Sequence, residues 1–184
     1  MRGVLLLLAL LSTLLDRHLA LGVRVEQTVP LACEGAWDVS NHNMYDLAYK
    51  WTHEHTLRDW SYVSLREPGC AQVSYLTTIR LASTFQHFVP SRVLSSSMRK
   101  KVCVRGSALE ETLVLGDLVL INSLQIDMRA TLHNDNRTVV FVSATEFPVP
   151  WFLKLFENTI RLQLEASLRE YHALLASSLC VGGA

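Results

Sequence analysis

Neither sign of charge prevails in this chain, which sets 17 Lys and Arg against 17 Asp and Glu. Nucleic-acid binders carry a strong basic excess, so no nucleic-acid partner is expected. No CxxC pair, HExxH motif or GxSxG elbow occurs, which removes the dithiol redox site, the zinc-protease helix and the serine-hydrolase nucleophile turn. After the first fifteen residues no apolar run approaches the roughly 20 residues of a membrane span. Proline and glycine number only 5 and 8, and none falls between Trp151 and Ser178.

What is present begins with a leader. Arg2 precedes an apolar run from Val4 to Leu15, and Ala20-Leu21-Gly22 has the small residues of a cleavage site. Residues 1–22 are therefore expected to be a signal peptide, with one domain over 23–180 in the secretory pathway or outside the cell. Without Arg2, Asp16 and Arg17 the balance is 15 basic to 16 acidic residues, still near neutral. Cys33, Cys70, Cys103 and Cys180 all lie beyond the leader and permit two disulfides, with three pairings open. Asn136-Arg137-Thr138 is a glycosylation sequon on a polar turn, so a glycoprotein is expected.

Alternation in "VRVEQTV" puts Val23, Val25, Gln27 and Val29 on one face of a first strand that Pro30 ends. One or two short helices follow, carrying Trp37, Tyr45, Leu47, Tyr49 and Trp51. "WSYVSLRE" and "AQVSYLTTIRLAS" around Pro68-Gly69 read as a hairpin. "TFQHFVPSRVLSSSM" reads as a loop or short helix. Three strand-like runs come next, "KKVCVRGSALEETLVL", "DLVLINSLQIDMRATL" and "RTVVFVSATEF", divided at Gly116-Asp117 and at residues 133–136. From Trp151 to Ser178 the positions Leu153, Phe156, Ile160, Leu164, Leu168, Tyr171 and Leu175 form a single apolar stripe on one long helix. The expected fold is α+β: a twisted antiparallel sheet wrapped on that helix, the helix-grip arrangement, with an elongated apolar pocket between them.

The segments "VEQTVPLACEGAWDVSNHNMYDLAYKW" and "PVPWFLKLFENTIRLQLEASLREYHALLASS" resemble the opening and the grip helix of START-like domains. Within that superfamily, "YLTTIRL" followed by "HFVPSRVLSS", and "VCVRGSALEETLVLGDLVLINSL" with Asn122, are similar to the PRELI-like phospholipid-transfer family. The resemblance runs from Val25 to Ser178. It implies a carrier, not an enzyme, that holds one phospholipid of the phosphatidic acid type and moves it between membranes by peripheral contact. It also implies a small twin-CX9C partner and, as an alternative compartment, the mitochondrial intermembrane space.

Candidate ligand-binding residues are Arg80, Lys100, Lys101 and Arg105, whose charges could meet a phosphate, and Phe156, Ile160 and Leu164 on the helix stripe. "RKK" at 99–101 is expected to open a strand and to read a head group or an anionic surface. "HEH" at 53–55 is too short a ligand set for zinc, so no metal or other cofactor is expected. Two further readings stand beside the carrier. One is a START-like cyclase or hydrolase using His53, Asp59 and Tyr62, and the other is a secreted interaction domain with a filled core.

Overall fold

The computed structural model describes residues 19–53, 57–80, 93–118, 121–133, 137–149 and 151–180, without the side chains of 19, 79, 80, 93, 94, 117, 118, 121, 122, 149 and 151–153. Seven strands make one antiparallel sheet: β1 (Leu19–Pro30), β2 (Arg58–Ser64), β3 (Cys70–Arg80), β4 (Val93–Arg105), β5 (Ala108–Leu118), β6 (Ile121–Leu132) and β7 (Thr138–Val149). Their spatial order is β1-β7-β6-β5-β4-β3-β2, so the first strand closes back against the last. Helix α1 (Asn41–Thr52) joins β1 to β2. A 3-10 turn (Trp151–Phe156) leads from β7 into the long helix α2 (Glu157–Ser178).

Side-chain alternation decides which face is covered. In β1 the inner positions are Leu21, Val23, Val25 and Gln27, and in β7 they are Val139, Phe141, Ser143, Thr145 and Phe147. These meet Leu168, Tyr171, His172, Leu175 and Ala176 of α2, which are buried, whereas Phe156, Ile160 and Leu164 are only partly so. The α2 backbone runs close to β1, β7 and α1, and α1 in turn reaches β3. Ser40 caps α1 by accepting a hydrogen bond from the Asn43 amide at 3.4 Å, and Asp38 holds Ser40 in place through both its amide and its hydroxyl.

The Pro68-Gly69 turn and the half-buried first strand stand as expected, as does the stripe from Ile160 to Leu175; the α-helix begins only at Glu157, with Phe156 in the 3-10 turn before it and the Leu153 side chain outside the described residues. The hairpins between residues 93 and 132 depart from expectation. "KKVCVRGSALEETLVL" is two strands, not one: the chain reverses at Gly106-Ser107, where Arg105 pairs with Ala108. Gly106 has φ 61°, which a first central residue of a II′ turn requires. The inner positions accordingly change parity, from Met98, Lys100 and Val102 to Leu109, Glu111 and Leu113. Gly116 is no turn but a β5 residue paired with Ser97 and Ser123, and the reversal comes between Leu118 and Ile121. Ser95, Ser96 and Ser97 are likewise strand residues of β4, with Ser96 donating to the Gly116 carbonyl at 2.7 Å.

Strand β1 begins at Leu19, four residues before the expected start at Val23, and Leu21 is buried in the core. Residues 1–18 and Asn136 lie outside the described residues. The cysteines pair as Cys33–Cys180 and Cys70–Cys103. The first bond ties the segment after β1 to the end of α2, and the second joins directly opposed residues of β3 and β4.

Because the Cys33–Cys180 bond spans 147 residues, its loss releases a large part of the unfolded chain's freedom. Replacing both cysteines by serine is expected to lower stability by about 2–5 kcal/mol in urea denaturation. A loss under 1 kcal/mol would mean that the helix is held by packing alone.

Candidate functional site

Over β4 and β5 the grip helix stands off, and long polar side chains bridge the gap. Lys100 lies on the inner face of β4 at 2% exposure, between Met98 and Val102. Its Nζ is 3.1 Å from Glu111 Oε1 across the β4–β5 pair and donates to the Tyr171 hydroxyl of α2 at 2.5 Å. Tyr171 then donates to Glu111 Oε2 at 2.7 Å, closing a three-membered network. The ammonium also sits 4.5 Å from the Tyr171 ring centroid and 6.0 Å from that of Trp51, a cation–π placement. Burial, and after it the Glu111 charge, push the phenols of Tyr171 and Tyr75 above their ordinary range, so both stay protonated.

Above this network, toward the N-terminal half of α2, a cavity of about 220 Å³ lies between the helices and the sheet. It is lined by Trp51 and Thr52 of α1, Thr77 and Thr78 of β3, Met98 of β4, Leu115 of β5 and Ser167 of α2. Larger depressions of about 400 and 630 Å³ mark the outer face of the sheet. Charges around the first of them serve one another: Arg105 pairs with Glu67 and Glu110, Arg129 with Glu110, and Lys101 with Glu67.

A second buried polar group sits where α2 meets β1 and β7. His172 Nε2 is 2.7 Å from Ser143 Oγ, and its Nδ1 is 3.1 Å from Gln27 Oε1. Its ring stacks on Phe141 at 4.7 Å between centroids. Gln27 Oε1 can only accept, so Nδ1 carries the proton and Ser143 donates to Nε2. This is the hydrogen-bond order of a nucleophile and base, but Ser143 and His172 are both fully buried and neither lines the cavity. Burial, with Arg169 as the lesser cause, lowers the His172 pKa to about 4.

The structure separates most of the residues expected to act together. Lys100 and Lys101 are neighbours in the middle of β4 and so point to opposite faces. They cannot hold one phosphate, and "RKK" does not open the strand. Lys100 is buried, while Lys101 and Arg105 lie on the outer face in ion pairs. Arg80 ends β3, and its side chain lies outside the described residues, as does that of Asn122. Phe156, Ile160 and Leu164 pack against the core without lining the cavity. His53 forms the left-handed cap of α1 and contacts Glu170 at 3.2 Å; Glu54 and His55 lie outside the described residues. Asp59 is exposed at a bulge with φ 52°, and Tyr62 donates to the Val39 carbonyl, so these do not converge with His53. Glu67, Cys70 and Cys103 cluster closely, but both sulfurs are spent in a disulfide.

Sequence reading named Lys100 but as a phosphate contact beside Lys101, and missed its inward pairing with Glu111, as well as Tyr171 as a polar residue and Thr77 and Trp51 as a cavity wall. Parity carried the signal: Lys100 is in phase with Met98 and Val102 and therefore inward.

No protein-family model and no curated protein matches the sequence. Among solved structures, a protein of Rhizobium leguminosarum described as putative and uncharacterized superposes with a TM-score of 0.50 at 13% identity, over 86% of this chain and 97% of its own. The chain has the helix-grip α+β fold. Looser likenesses, with TM-scores of 0.47 and 0.44, join it to the di-domain ARO/CYC StfQ of the steffimycin biosynthetic pathway and to norcoclaurine synthase of Thalictrum flavum. StfQ is 15% identical over 86% of this chain and 51% of its own, and the synthase 10% identical over 91% and 90%. These identities speak to the fold alone, and nothing in them supports the PRELI-like family in particular.

Removing one member of a buried ion pair strands the other, so Lys100→Met is expected to cost about 3–5 kcal/mol in urea unfolding. The double variant Lys100→Met with Glu111→Leu should recover most of that loss. A double variant as unstable as the single would show that the charges themselves are needed for folding.

His172 gives a pH dependence of definite sign. Its pKa is about 4 folded against 6.5 unfolded, so between those values only the unfolded chain takes the proton. Stability should fall as pH drops through that window, by up to about 3 kcal/mol from this group. The wild type's excess loss over His172→Gln between pH 7 and 4 reads this contribution; equal slopes would remove it.

Proposed function

We propose that this domain binds one small, largely apolar molecule between the grip helix and the sheet. The observation that carries the reading is the cavity over β4 and β5, where α2 stands off and Trp51, Met98 and Leu115 present apolar walls. At about 220 Å³ it is below the roughly 300–1,000 Å³ of drug-sized sites, which favours a small ligand. We read the protein as a binder and not a catalyst. The buried titratable groups of the β4–β5 strip, Lys100, Glu111 and Tyr171, are committed to one another.

The more specific carrier reading, transfer of a phosphatidic acid-like lipid at a membrane surface, has one observation in its favour. Leu155, in the 3-10 turn before α2, and Leu162, in its first turns, are 88% and 65% exposed. Against it stand the cavity's size and the pairing of Lys100, the one cation on the described inner face. Two disulfides suit an oxidising compartment, in line with the secretory route.

Native mass spectrometry of the protein from a eukaryotic host, followed by extraction, tests the reading. One small molecule per chain is expected, and Leu115→Trp, which fills the cavity, should lose it while remaining folded. A stoichiometric phospholipid would favour the transfer reading instead. A bare chain that binds no apolar probe would favour an interaction domain with a filled core.

A further inference from the structure

Two hydroxyls on the inner face of β3, Thr77 Oγ1 and Tyr75 OH, have no hydrogen-bond partner among the described residues. Thr77 is 3% exposed and lines the cavity; Tyr75 is 2% exposed and stands one inner position away along the strand. An unpaired buried hydroxyl costs on the order of 1–3 kcal/mol, so two in succession need a reason. Nearby groups do not supply one. The Thr52 hydroxyl, on the same cavity, already donates to the Ala48 carbonyl at 2.7 Å. Tyr171 both accepts from Lys100 and donates to Glu111. Ser96, opposite Thr77 in the β3–β4 register, donates to the Gly116 carbonyl.

Charge narrows what can enter. Lys100 is the one cation on the inner face of the described strands, and Glu111 neutralises it at 3.1 Å. A carboxylate, phosphate or ammonium taken into the cavity would lose its hydration among uncharged lining residues and find no free counter-charge there.

We propose that Thr77 forms the polar end of the cavity and selects an uncharged ligand. A hydroxyl or carbonyl oxygen of that ligand bonds to Thr77 while its apolar body lies against Trp51, Met98 and Leu115. The assignment rests on the ligand-binding reading above and adds the class of ligand. The single hydroxyl of Thr77 both donates and accepts, so alcohols and carbonyl compounds fit, and an alkane gains nothing there.

Isothermal titration calorimetry with 1-octanol, octanoate and octane separates the claims. 1-Octanol is expected to bind tightest. Thr77→Val, which keeps the side chain's shape, should weaken 1-octanol about 5- to 10-fold and leave octane unchanged. Thr77→Ser should retain the preference. Because both Thr77→Val and Tyr75→Phe remove an unpaired hydroxyl, their thermal unfolding should not fall below that of the wild type. Octanoate binding as tightly as 1-octanol, or Thr77→Val weakening octane and 1-octanol alike, would overturn the assignment while leaving a binding cavity. Failure of all three probes to bind would overturn the cavity reading, and this assignment with it.

Discussion

One helix cannot cover seven strands. At about 4.8 Å between strands the sheet is roughly 29 Å across, while a helix with its side chains is only about 10 Å wide. The chain meets this constraint by seating α2 against β1 and β7 and placing α1 beside it over β3. The strip between them, over β4 and β5, is left to side chains. Tyr171 and Lys100 are long enough to meet across it, and deeper in the strip they do. Nearer the start of α2 the facing residue is Ser167, too short to reach the sheet, and the space remains open as the cavity.

That geometry also explains the burial gradient along α2. Its last two turns are pinned: Leu175, Ala176 and Leu179 are buried, and Cys180 is bonded to Cys33. Its first turns have Ile160 and Leu164 only partly covered and Leu162 in solvent. A helix anchored at its far end and lightly covered at its near end can admit a ligand without losing its attachment to the core. The disulfide at the closed end makes that arrangement independent of how well the open end packs.

The large elements were legible because they rest on apolar periodicity. Leu168, Tyr171 and Leu175 recur at helical spacing, and Val23 and Val25 at strand spacing, so the grip helix and the first strand could be read directly. Where polar residues occupy inner positions, periodicity misleads. Lys100 and Glu111 break the inward pattern of β4 and β5, which hides the Gly106-Ser107 reversal and makes Lys100 read as a partner of Lys101. Thr77 was invisible for another reason: an unpaired hydroxyl is a property of its surroundings, which no spacing encodes. The partners of the four cysteines likewise depend on which strands lie side by side, and only the topology decides that.

The interior contains two polar groups of opposite character. His172, Ser143 and Gln27 lie where the helix is close to the sheet, and the nitrogens of His172 are matched by oxygens on both sides. Such a closed network fixes the helix against β1 and β7 and has nothing left to offer a ligand. Thr77 and Tyr75 lie where the helix stands off, and their hydroxyls are unmatched among the described residues. If the inner face existed only to be filled, valine and phenylalanine would serve at these two positions without the cost of unpaired hydroxyls. An unmatched Thr77 hydroxyl beside an open space, and matched groups where there is none, are the contrast on which the proposed ligand site over β3, β4 and β5 rests.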